Sequence, residues 1–171
     1  MDDRETTKPP AEPVPARLKS RMARSAARLA AVQALYQLEM TGGNWTDVRD
    51  EFETHRLGTD VEGLRFEEPD IPLFRDVLSG VQRHQVAIDH LTDEALNARW
   101  PLGRIDPTLR ALFRGAGHEF LNRQDIPAKV VIGEYLDIAK AFFDGGREPG
   151  FVNGVLDHMA RTARPGALDA R

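Results

Sequence analysis

The chain has no cysteine, which excludes disulfides, thiol catalysis and zinc–thiolate sites and suits a reducing compartment. It has no apolar run of 18 residues and no signal-peptide core at its N-terminus. Neither a membrane span nor secretion is therefore expected, and the cytoplasm is the default location. The five histidines (His55, His84, His90, His118 and His158) form no HxxxH or HExxH pair, and no metal site is indicated. The carboxylates of Glu51/Glu53 and Glu67/Glu68 fall in polar segments, as solvated acids rather than an acid–base dyad. The glycine-rich stretches 42–44 and 144–150 lack the lysine and the spacing of a phosphate loop. Nothing in the residues supports catalysis. No segment alternates convincingly with period two, so the fold class is all-α.

What is present is a basic helix. Arg17, Lys19, Arg21, Arg24 and Arg28 carry five charges within residues 17–28, with no acid among them. The whole chain carries −4, so the remainder carries −9. Arg17, Arg21, Arg24 and Arg28 fall at i, i+4, i+7 and i+11, which makes one basic stripe. A solvated helix face would explain a few such charges. Positive charge at the start of a helix opposes the macrodipole, however, and a purely structural helix would carry Asp or Glu there. Arginine also outnumbers lysine in the stripe, and its forked guanidinium suits phosphate. No Trp or Phe belt accompanies the charges, which disfavours a membrane surface. The expected ligand is a polyanion bound at a confined basic patch on an acidic body. Leu18, Met22, Leu29, Tyr36 and Met40 lie roughly a quarter-turn away and are expected to face the core.

Along the chain, residues 1–16 carry four prolines and almost no large apolar side chains and read as a disordered tail. The basic helix ends at Gly42-Gly43. A short acidic segment follows, with Trp45, Val48, Phe52 and Leu57 as packing residues, then a loop over 58–72. Leu73, Phe74, Val77, Leu78, Val81, Ile88 and Leu91 keep helical spacing to about residue 91. Gly80 inside that helix implies close approach of another helix. The break over 92–105 divides an N-terminal subdomain (17–91) from a C-terminal one (106–161), giving two packed helical subdomains. Asp106-Pro107 opens the next helix, as N-cap and first helical residue. Pro127 and Pro149 open two more, and residues 162–171 read as a flexible tail.

The stretches RSAARLAAVQALYQLEMTG (24–42), LFRDVLSGV (73–81), VVIGEYLDIAKAFF (130–143) and FVNGVLDHMAR (151–161) resemble the NusB family of bacterial transcription antitermination factors. The resemblance covers 17–161, all but the tails. It implies an all-α fold of two helical subdomains and a protein that binds single-stranded boxA RNA of ribosomal RNA transcripts. The partners implied are NusE, which is also a small-subunit ribosomal protein, and the RNA polymerase antitermination complex. No catalytic step, cofactor or metal is implied. Self-association of the free protein as a homodimer is a known behaviour of some members.

Carried onto this chain, the family's arginine-rich segment falls on Arg17, Lys19, Arg21, Arg24 and Arg28, with Gln33 and Tyr36 of AVQALY facing the same region. Phe151 matches the family's aromatic RNA contact in the second subdomain, with Asn153 beside it. Tyr36 also fits a half-buried core residue, Phe151 a hydrophobic staple, and Asn153 a backbone hydrogen-bonding role. Arg147 stands where several relatives carry an acid and should strengthen RNA attraction and relax sequence preference. Gly133 stands where relatives carry a polar residue and should weaken its helix. Glu119, Glu134 and Asp137 are expected to be exposed acids facing the basic partner NusE. Arg75 and Asp76 read as a structural ion pair or cap. Two rival readings remain from the residues: a protein-only helical adaptor, and a stand-alone relative of the N-terminal domain of a ribosomal RNA cytosine methyltransferase.

Overall fold

The computed structural model describes residues 14–57, 68–96 and 100–169. The expectations for residues 1–13 and for most of the 58–72 loop lie outside them. Six α-helices and no strand occur among the described residues. They are α1 (Ala16–Thr41), α2 (Trp45–Glu51), α3 (Ile71–Ala95), α4 (Pro107–Asn122), α5 (Ala128–Phe142) and α6 (Glu148–Ala163). A π-helical turn, Phe52–Arg56, prolongs α2, and a 3₁₀ turn, Leu102–Arg104, precedes α4. No helix among these residues is long and apolar enough to cross a membrane.

The helix ends follow local chemistry. Gly42 takes φ 64° and its N–H donates to the Leu38 carbonyl, closing α1 in the left-handed conformation that glycine adopts without strain. The carboxylate of Asp70 accepts from the Leu73 N–H at 3.0 Å, and that of Asp106 from the Thr108 N–H at 2.7 Å. Each cap satisfies an amide that the first helical turn leaves unpaired.

One cluster of buried side chains runs through both halves of the chain. It joins Ala31 and Leu35 of α1, Phe74, Leu78 and Ile88 of α3, Leu112 and Phe120 of α4, Tyr135 of α5 and Leu156 of α6. α3 and α4 cross tightly at Gly80, where a Cβ would lie 2.0 Å from the His118 ring. That is the close approach the sequence implies. α3 kinks at His84 (φ −119°, ψ 17°), one turn after the Ser79-Gly80 pair.

Arg75 and Asp76 do not pair with each other. Arg75 forks onto Glu53 at 2.6 and 2.8 Å, tying α3 to the π-helical turn. Asp76 lies 3.0 Å from His118 Nε2 and accepts from Arg123 at 3.1 Å. Burial opposes the charge of Asp76, but these hydrogen bonds outweigh it and hold the carboxyl below the usual aspartate range. A folded pKa below the unfolded one gives stability that is full above the unfolded value and is lost as pH falls through the folded one. Thermal unfolding should therefore show the wild type losing ground to Asp76→Asn between pH 6 and pH 3. Parallel melting curves for the two proteins over that range would contradict this role.

The flexible tail expected from Thr162 is corrected. α6 continues to Ala163, and the buried Arg164 donates to the carbonyls of Glu119, Phe120, Arg123 and Ile126 at 2.6–2.8 Å. These groups belong to the end of α4 and the turn after it, where Glu119 already accepts from the Arg123 N–H at 3.0 Å and Phe120 from Gln124 Nε2 at 3.2 Å, so Arg164 adds a second donor to each.

Candidate nucleic-acid interface

α1 packs through alanine. Ala27, Ala30, Ala31 and Ala34 are buried with Val32, Leu35 and Leu38, so small side chains let α3 and α4 approach its backbone. The expected packing flank is thereby displaced. Leu18, Met22, Tyr36 and Met40 are exposed. The first two turns of α1 project beyond the neighbouring helices, and residues 15–22 are all exposed.

That overhang carries Arg17, Lys19 and Arg21, with Arg24 one turn on. All four are exposed, and none pairs with an acid among the described residues. Arg24 donates to the Ser20 hydroxyl at 2.7 Å. Four exposed cations within about two helical turns, unpaired among the described residues, concentrate positive charge in a geometry suited to phosphate.

Arg28, the last member of the expected stripe, is not part of that surface. Its side chain is 1% exposed. It donates to both carboxylate oxygens of Glu119, from Nε at 3.1 and 3.0 Å and from Nη2 at 2.8 Å. Burial opposes the guanidinium charge, but the hydrogen bond and charge of Glu119 outweigh it and the Arg28 pKa is raised. The Tyr135 hydroxyl donates to Glu119 at 2.6 Å. Burial, then the adjoining Glu119 charge, push that phenol well above its ordinary value. The reason for burial is geometric. Arg28 and Leu35 are seven residues apart and share a side of the helix, and from Ala27 onward that side is covered by α4 and α5.

Glu119 is likewise corrected. It is fully buried and cannot face a partner. Glu134 is half-buried, accepting from Ser25 Oγ at 2.7 Å with Arg28 Nη1 at 3.8 Å. Asp137 is exposed. Of the three expected partner-facing acids, Asp137 alone is fully available.

Further along α1, Gln33 and Tyr36 are exposed and line a cleft of about 490 Å³. Val32, Gln37, Met40 and Thr41 of α1, Arg56, Thr108 at the start of α4 and Phe142 at the end of α5 complete it. Phe142, Thr108 and Arg56 are not marked as site residues by the sequence. The one available signal was the doublet Phe142-Phe143 at the end of an amphipathic helix, where adjacent rings cannot both point inward. Five residues beyond Phe142, exposed Arg147 leads into α6, followed by Phe151 and exposed Asn153. The Phe151 ring is half-buried and meets Phe113 edge-on at 6.3 Å. It therefore packs on the core while keeping part of its surface in solvent. Gly133 is exposed, and a Cβ added there would meet nothing within 4 Å, so its only effect is on helix propensity.

Comparison with known proteins matches residues 25–161 to the NusB family. The transcription antitermination protein NusB of Nitrobacter hamburgensis is 51% identical over 143 residues, covering 84% of this chain and 89% of its own. That of Bradyrhizobium sp. strain BTAi1 is 48% identical over 159 residues, covering 93% and 94%. Among solved structures, T. maritima NusB superposes with a TM-score of 0.64 at 29% identity, covering 84% of this chain and 90% of its own. A crystal structure of the antitermination factors NusB and NusE in complex with dsRNA contains a chain of the same fold. Its TM-score is 0.65 at 19% identity, covering 81% and 96%. With the family matched over most of its length and relatives near half identity spanning nearly all of theirs, the chain belongs to the NusB family.

Proposed function

We propose that this chain is a transcription antitermination factor acting in the cytoplasm. It binds single-stranded boxA RNA of ribosomal RNA transcripts together with NusE, and the complex suppresses premature termination by RNA polymerase. The observation that carries this reading is the α1 overhang, with four exposed cations and no paired acid among the described residues. The names of relatives near 50% identity and a distant structural neighbour bound to NusE and RNA support it. Phosphates lie along Arg17, Lys19, Arg21 and Arg24, while Gln33, Tyr36, Arg147, Phe151 and Asn153 supply polar and aromatic contacts to bases. Asp137, with part of Glu134, offers the basic NusE a negative face, and enlargement of the RNA surface by NusE makes their binding mutually reinforcing. A homodimer of the free protein is part of the same reading.

Fluorescence-anisotropy titration of boxA RNA, with and without NusE and at several salt concentrations, tests it. Binding should tighten with NusE and weaken log-linearly with salt. NusE binding without RNA binding would leave a protein-only adaptor.

A further inference from the structure

The exposed large apolar side chains are not scattered. Of the eight among the described residues, Leu18, Met22, Tyr36 and Met40 lie on α1 and Val130 and Phe142 on α5. The two helices run side by side in the same direction, since Ser25 meets Glu134 while Phe142 lines the cleft beside Tyr36. Tyr36, Met40 and Phe142, at 40, 50 and 42% exposure, border the cleft described above. The phosphate contacts of the overhang leave this cleft unused.

We infer that the cleft is a slot for one unpaired nucleobase of the bound RNA, an inference that rests on the RNA-binding reading above. Its volume lies in the range of small-ligand sites. Two aromatic side chains, Tyr36 and Phe142, give a flat base surfaces to stack on, and Met40 and Val32 add apolar contact. The polar groups divide into committed and available ones. Gln37 donates to Glu51 at 3.0 Å, and Thr41 donates to the Gln37 carbonyl at 2.8 Å. The side chains of Gln33 and Thr108 make no hydrogen bond among the described residues. Together they offer a base edge an amide donor, a carbonyl acceptor and a hydroxyl. No carboxylate among the described residues lines the cleft, and Arg56 is held at its rim by Glu51 and the Phe52 ring. A strand entering it would therefore meet no opposing charge from its walls. Arg24 and Tyr36 are twelve residues apart on one helix, about 18 Å, so one extended strand reaches both.

The test is boxA RNA carrying a single 2-aminopurine at successive positions, titrated with saturating NusE present. One position should change fluorescence on binding wild type and not on binding Phe142→Ala. Phe142→Ala should bind about tenfold more weakly with an unchanged salt slope, because stacking displaces no counterions. Phe142→Tyr should restore affinity and Phe142→Leu should not, which separates stacking from apolar filling. Matching melting temperatures check that each variant is folded. Wild-type affinity for Phe142→Ala, or full rescue by leucine, overturns the base slot and leaves the basic overhang standing. Absence of RNA binding by the wild type overturns the RNA reading itself, and the slot with it.

Discussion

Arg28→Ala should lower the melting temperature by roughly 10–15 °C. Arg28 is the main partner of a fully buried carboxylate. Truncating it leaves Glu119 with the Tyr135 hydroxyl as its remaining side-chain donor. Breaking a buried pair from one side costs about 3–5 kcal/mol, because the other charge stays buried and uncompensated. In a domain of this size each kcal/mol is worth about 2–4 °C. Replacing both partners by apolar residues, as in Arg28→Met/Glu119→Leu, should recover most of the loss. Arg24→Ala, an exposed neighbour one turn away, should shift melting by only about 0.5 kcal/mol or less. Circular dichroism melts of the four proteins decide the matter. If Arg28→Ala melts within about 2 °C of wild type, less than one kcal/mol would be at stake, and the buried pair is not what fixes α1 against α4.

The second large effect concerns binding and should leave stability alone. Arg21→Ala/Arg24→Ala removes two exposed cations from the overhang. Each phosphate contact contributes about 0.7 to the log–log salt slope on single strands, so the slope should fall by about 1.4. Affinity at low salt should fall by roughly tenfold or more, with the difference shrinking as salt rises. The same titration on Arg28→Ala, below its melting transition, should keep the wild-type slope. A slope unchanged in the double variant would remove the overhang from the RNA path. The two experiments cross-check each other: one arginine governs melting and its neighbours govern the salt slope.

That division was only partly legible in the sequence. The helix start at Asp106-Pro107, the stop at Gly42 and the close approach at Gly80 follow from short-range chemistry and are read within four residues. The family resemblance was legible in four short stretches. The fate of Arg28 was not. A helix stripe assigns a side chain a direction, but burial depends on how far along the helix its neighbours begin to cover it. Glu119, which settles the matter, is 91 residues away. One local clue existed, since Leu35 lies two turns beyond Arg28 on the same side. The apolar flank of α1 misled for a related reason. Large side chains were expected inside, but contact through Ala27, Ala31 and Ala34 brings backbones close and turns Tyr36 and Met40 outward. Phe142 reads as one more apolar residue of its helix, because a helical pattern does not show where two helices leave a gap between them.

Arg164 has a consequence for how the protein is made. It reaches the carbonyl of Phe120 across 44 residues and that of Glu119 across 45. At a ribosomal rate of roughly 5–20 residues per second, it is added about 2–9 s after them. Throughout that interval the end of α4 has water in place of its guanidinium cap. The cation that ties the last turn of α4 to the turn after it thus comes from the far end of the chain, and a nascent polypeptide halted anywhere before residue 164 has only the local Arg123 and Gln124 bonds there.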